Sequence, residues 1–181
     1  MQPSPAPTIS VLMALYNGAA LVGETIATLQ AQTFGDWELI VVDDRSTDDG
    51  VAVLKTIDDA RIRIVEQPVN QGVVRARNAA FAHARGRYLA ALDHDDLCHP
   101  ERFARQVAYL DAHPDTVLLG TAANILDDGA VLPPTLAPIT TPSVIEWLLK
   151  IENPLVWSSV MMRADAARRL DIFMRPELIC A

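Results

Sequence analysis

No apolar run in the 181 residues approaches the roughly 20 that a membrane span requires. The start, MQPSPAPT, has no basic segment followed by an apolar one, so it is not a secretory signal. Residues 1–7 read instead as a flexible, proline-rich lead-in. Cysteine is scarce: Cys98 and Cys180 stand far apart, form no CxxC pair and match no metal spacing. Two reduced thiols in a cytoplasmic protein are the simpler reading, with docking at the inner face of a membrane left to a partner. Basic residues are outnumbered, 15 Lys and Arg against 23 Asp and Glu, for a net charge of −8. Sequence-independent nucleic-acid binding needs a basic footprint and is disfavoured. GxGxxG, Walker A and GxSxG motifs are all missing, which removes support for a dinucleotide dehydrogenase, an ATPase and a serine hydrolase.

What is present is a globular composition, 50% hydrophobic and 21% charged. Residues 8–181 are expected to form a single domain. Thr8–Leu15, Trp37–Val42 and Tyr88–Leu92 are continuous apolar runs suited to strands buried on both faces. Arg61–Glu66, Thr116–Ala123 and Val156–Met162 are weaker strand candidates. Helical spacing covers Ala19–Gln32, Val51–Ile57, Val73–Arg85, a segment from Pro100 to Pro114, Ser143–Lys150 and Ala164–Leu170. Gly86 is placed as the glycine that ends a helix, and Asp127–Gly129 as a hairpin turn. The alternation predicts a three-layer α/β/α sandwich with a mostly parallel sheet.

Two of the buried strands end in acids: Asp43 and Asp44 after the second, Asp93, Asp95 and Asp96 after Tyr88–Leu92. A carboxylate is costly to bury unpaired, so these should sit where the strands leave the sheet. That edge is where ligands bind in open α/β sheets. Hard oxygen ligands there suit Mg²⁺ or Mn²⁺ and, through the metal, phosphates. On an extended segment residues i and i+2 share a side, so Asp93 and Asp95 are expected to face one ligand with His94 turned away as a loop histidine. Asp96 is available to cap the next turn, and Asp48 and Asp49 read as helix caps. Asn70–Asn78 is a loop running into a helix. Gly72 allows close backbone approach, and Arg75 or Arg77 can meet a phosphate or base there. A solvated helix face explains the arginines equally well.

Ser10–Asn17, Leu29–Glu38, Val41–Asp48, Asn70–Gly72, Ala76–Asn78, Gly86–Tyr88 and Leu92–Asp96, in this order and spacing, resemble the family 2 glycosyltransferases with the GT-A fold. Arg45 stands where the family often has glycine. The resemblance covers nearly all of residues 8 to 163. It implies a nucleotide-sugar donor, most often a UDP-sugar, a divalent metal (Mn²⁺ or Mg²⁺), and inversion at the anomeric carbon. By position Ala14 and Tyr16 would line the nucleotide pocket, with Tyr16 either against the base or packed beneath the loop. Asp44 would accept a hydrogen bond from the base, Asp93 would lie near the ribose or donor, and Asp95 would hold the metal on the diphosphate. Arg77 is implied as a nucleotide contact, and His94 falls within the same nucleotide-sugar-binding segment.

The departures lie towards the C-terminus. Asn153–Arg163 resembles the segment before the acceptor side, where histidine often stands at the position of Trp157. The Glu-Asp pair whose Asp is the family's usual base would begin about where the chain stops. The expectation is a chain that keeps the donor half and lacks the base and acceptor portion. Glu177 is the nearest substitute, with nothing placing it in the site. The acceptor is an unidentified glycan, lipid or other hydroxyl compound, and cell-surface polysaccharide assembly is a common family role. Trp157, Met161, Met162, Phe173 and Met174 offer either a homo-oligomer contact or a local core. A non-catalytic nucleotide-sugar-binding module is the main rival. A sugar nucleotidyltransferase is disfavoured, because Tyr16–Ala20 carries no Lys or Arg.

Overall fold

The computed structural model describes residues 5–127, 129–134, 139–151 and 153–175. Glu177 and Cys180, and Asp128 of the Asp127–Gly129 turn, lie outside them. The strands are β1 (Ile9–Leu15), β2 (Trp37–Asp43), β3 (Ile62–Glu66), β4 (Tyr88–Ala91), β5 (Leu118–Leu119), β6 (Ile125–Asp127), β7 (Ala130–Leu132) and β8 (Met161–Arg163). The helices are α1 (Val22–Gln30), α2 (Gly50–Lys55), α3 (Val73–His83), α4 (Arg102–Ala112), α5 (Pro142–Leu148) and α6 (Ala164–Arg168).

The main sheet runs β3-β2-β1-β4-β8-β5, with β1 parallel to both β2 and β4. β8 is antiparallel to both its neighbours. Every residue of β1 is buried, because both faces of the strand are covered. Ile9, Val11, Met13 and Leu15 join one core with Val22, Ile26 and Leu29 of α1 and Phe103, Val107 and Leu110 of α4. Leu12 and Ala14 join a second core with Ala76 and Ala80 of α3 and Ala164 and Ala167 of α6. The sheet is therefore the middle of three layers, the α/β/α sandwich anticipated from the sequence.

The weaker strand candidates shorten. Only Leu118 and Leu119 of Thr116–Ala123 pair. Val156–Met162 divides into a 3₁₀ turn (Trp157–Ser159) and β8. Pro100 precedes α4 rather than starting it. β6 and β7 form the anticipated hairpin, with Gly129 at φ 78°. Of the side chains weighed for a homo-oligomer contact, Met161 is buried and Met162 and Phe173 pack against the α3-side core. Phe173 also stacks on Phe81 at 4.4 Å. These three side chains contribute to the local core.

Gly86 is needed for a different reason from the one its position suggests. α3 ends at His83, and Gly86 has no positive φ. A Cβ on it would lie 2.5 Å from Ser10 N and 2.8 Å from Ile9 C, so the glycine lets the turn into β4 close on β1. Ser10 Oγ accepts from the Gly86 and Arg85 amides and donates to Glu38, which also takes the Arg85 guanidinium. Burial pushes the Glu38 carboxyl up, but the Ser10 and Arg85 hydrogen bonds outweigh it and hold the pKa below its ordinary value. A depressed folded pKa contributes stability above the unfolded pKa that is lost as pH falls through the folded one. Glu38→Gln should therefore be less stable than wild type at neutral pH, with the gap closing in acid. Urea unfolding at pH 7 and at low pH checks this, and a gap that does not change with pH would count against it.

Candidate functional site

From β1 the chain winds through α1 to β2 and β3, then returns by α3 to β4 on the other side of β1. α1 and α3 lie on opposite faces, so a crevice opens between β1 and β4 at their carboxyl ends, the switch point where such sheets bind ligands. A cavity of about 380 Å³ occupies this crevice. Its wall includes the seven residues that the resemblance implies for the nucleotide-sugar and metal, Ala14, Tyr16, Asp44, Arg77, Asp93, His94 and Asp95, but not Arg75. Asn70 and Val73, which sequence reasoning did not select, also line it.

β1 delivers Ala14 to the floor and Tyr16 to the rim. Tyr16 is 48% exposed and so is not packed beneath the loop. The loop behind it is tied to the loop after β2. Asn17 N donates to Ser46 Oγ, Thr47 N donates to Asn17 Oδ1, and Ala19 N donates to Asp48. Asp48 also accepts from Gly50 N, two residues on, in an Asx-type turn ahead of α2, and the N-cap residue Asp49 makes no side-chain cap, so neither acid caps the helix as expected. Asp43 closes its own turn by accepting from Ser46 N.

Arg45 takes φ 64°, the left-handed region that suits glycine. Its side chain is exposed. Arg45→Gly is expected to raise stability by about 1 kcal/mol or slightly less, after allowing for glycine's unfolded-state entropy. Chemical unfolding checks this, and a clear loss of stability would contradict it.

Asp44 is 2% exposed. Its two carboxylate oxygens accept from Gln71 N at 2.8 Å and Gly72 N at 2.7 Å, and Asn70 Nδ2 donates to its main-chain oxygen. The anion favoured at the start of α3 is thus supplied by the protein itself. Asp44 shapes the Asn70–Gly72 loop, and Gly72 at φ 87° makes the turn into the helix.

After β4 the chain does not stay extended. Asp96 N donates to Asp93 O, so Asp93–Asp96 is a turn and the i, i+2 geometry does not apply. His94 is accordingly not turned away. It lines the cavity, with Nδ1 3.3 Å from Ala14 O. A carbonyl only accepts, so Nδ1 carries the proton. Gly18 makes room for this ring, since a Cβ there would lie 2.3 Å from His94 Cδ2. Asp93 pairs with Arg77 Nη2 at 2.6 Å, and its amide donates to Ser158 Oγ. Burial pushes the Asp93 carboxyl up, Arg77 opposes this, and the charges of Asp96 and Asp95 add to the rise. Arg77 also stacks on the Trp157 ring at 4.6 Å. Asp95 is exposed, and its side chain makes no hydrogen bond or ion pair among the described residues.

The cavity therefore offers one exposed aromatic ring, one guanidinium and one uncommitted carboxylate. No group of three metal-ligating side chains occurs among the described residues. A fully protein-built cage is not the pattern. A single acid that shares a hard cation with a ligand's phosphates fits this donor set.

A family model described as "Glycosyl transferase family 2" matches residues 10–170. EpsE of Bacillus subtilis (strain 168) is 32% identical over 168 residues, covering 91% of this chain and 59% of EpsE. The Escherichia coli protein WfgD, named as a UDP-Glc:alpha-D-GlcNAc-diphosphoundecaprenol beta-1,3-glucosyltransferase, is 28% identical, covering 72% of this chain and 51% of its own. The crystal structure of S. aureus TarS 1-349 in complex with UDP-GlcNAc superposes with a TM-score of 0.79 at 22% identity, over 96% of this chain and 50% of TarS 1-349. The mannosyltransferase PcManGT from Pyrobaculum calidifontis, solved with GDP-Man and Mn²⁺, superposes at 0.69 and 21% identity, over 95% of this chain and 49% of that one.

Proposed function

Because the chain belongs to glycosyl transferase family 2, we propose that it binds a nucleoside-diphosphate sugar, a UDP-sugar first, for metal-dependent, inverting transfer to an acceptor hydroxyl. The observation that carries this reading is the switch-point cavity, whose lining holds the exposed ring of Tyr16 together with the Arg77, Asp93 and Asp95 charges. Such a lining suits a ligand that combines a flat base with an anion. UDP is preferred over GDP because the WfgD donor is named as UDP-Glc.

In this reading Tyr16 lies against the base, and Asp44 holds the Asn70–Gly72 loop that borders it. Arg77 faces the diphosphate, Asp93 the ribose or sugar, and His94 keeps the two loops together from Ala14. Asp95 holds Mn²⁺ or Mg²⁺, which when bound neutralises charge growing on the departing nucleoside diphosphate. The acceptor is a glycan- or lipid-linked hydroxyl. No helix among the described residues is long and apolar enough to cross a membrane.

A second reading, a nucleotide-sugar-binding module without turnover, is favoured by one observation. Asp44 is held by two amides and Asp93 by Arg77, so neither is free to deprotonate a hydroxyl. Incubation with UDP-[³H]sugars and candidate acceptors separates the two. Labelled product supports transfer, and UDP binding without product supports the module. The common proposal fails if UDP, GDP and dTDP do not bind in Mn²⁺.

A further inference from the structure

We infer that Arg102, outside the cavity, is a positioning residue for this site: it fixes the Trp157–Val160 segment, and through it Asp93, against the carboxyl end of β4. This rests on the reading that the cavity takes a nucleotide-sugar. Arg102 is 7% exposed and forms no ion pair with a carboxylate among the described residues. Such a buried charge is expensive, and an apolar side chain of similar volume would pack the core more cheaply. What the guanidinium adds is a rigid planar fork with several donors.

The fork spans the point where β4 and β8 part. Arg102 Nη2 donates to Ala91 O and Val160 O, each at 3.0 Å. Arg102 Nε donates to Gln106 Oε1 at 3.0 Å, and Gln106 Nε2 donates to Ser159 O at 2.9 Å. Arg102 and Gln106 are one helical turn apart on α4, so one face of that helix holds the segment at two successive carbonyls. Its neighbours reach the site. Ser158 Oγ accepts from the Asp93 amide at 2.9 Å, and Trp157 carries the Arg77 guanidinium that pairs with Asp93.

Two variants test this in the whole chain, Arg102→Met and Gln106→Met. NMR follows the Asp93 amide and the Trp157 indole N–H, and calorimetry follows UDP with Mn²⁺. Both variants should shift these two signals, leave the Trp37 and Trp147 indoles in place, and weaken UDP binding about tenfold, the lower end for loss of groups that orient a ligand. Arg102→Lys, which keeps one donor group near the two carbonyls, should move the signals part of the way back. A merely structural arginine would lower thermal stability without moving Asp93, Trp157 or UDP affinity in the folded variants, and that result overturns the inference. If Arg102→Met does not fold, Gln106→Met decides. If the wild type itself does not bind UDP, the functional reading fails while the Asp93 and Trp157 signals still decide the positioning.

Discussion

Asp95→Ala should weaken UDP binding in Mn²⁺ by about 100-fold while leaving thermal stability unchanged. The side chain is exposed and holds nothing in place among the described residues, and surface substitutions of that kind stay within roughly ±0.5 kcal/mol. Its loss removes a charged oxygen from the cation shared with the diphosphate, and interactions of charged groups of this type are worth about 1.5–3 kcal/mol. The comparison that isolates the effect is wild type against variant in Mn²⁺ and again in EDTA. The two should differ only in Mn²⁺. A variant that keeps the full Mn²⁺ enhancement would remove Asp95 from the metal role.

Asp44→Asn should behave in the opposite way, losing stability first and binding as a consequence. One carboxylate oxygen becomes an NH₂ group, and it must face one of the two amides that Asp44 now accepts, Gln71 N or Gly72 N. Two donors then meet in a site that is almost wholly buried. A buried donor left without an acceptor costs about 1–3 kcal/mol, and for a chain of this size each kcal/mol is roughly 2–4 °C in Tm. The Asn70–Gly72 loop borders the cavity, so UDP affinity should fall as well. Calorimetric unfolding and UDP titration on the same sample check both parts. Wild-type Tm with abolished binding would mean that Asp44 serves the ligand alone and that its hold on the loop is dispensable.

These contrasting expectations mark what the sequence alone could and could not supply. The runs that form β1, β2 and β4 are apolar without alternation, which is the signature of strands covered on both faces, and their acids had to emerge at the sheet edge. That reasoning brought Asp44, Asp93 and Asp95 to one crevice, and the family resemblance added Ala14 and Tyr16. It did not reveal the partners, because these join residues far apart in the chain. Asp44 meets amides 27 and 28 residues away, and Asp93 meets Arg77 and Ser158. The extended geometry assumed for Asp93–Asp95 failed because the chain turns as soon as β4 ends. Arg102 was hidden for a simpler reason. The Phe103, Val107 and Leu110 spacing of α4 marks its buried side, and a charged residue beside that stripe gives no sign that it is buried too.

The most direct test of the site is paramagnetic broadening by Mn²⁺ in the presence of UDP, read on assigned backbone amides with Mg²⁺ as the diamagnetic reference. Loss of signal is expected at Tyr16, Gly72 and Asp95, with intact signals at the amino ends of the strands, such as Trp37 and Arg63. Broadening centred elsewhere, or the same broadening without UDP and with Asp95→Ala, would contradict it.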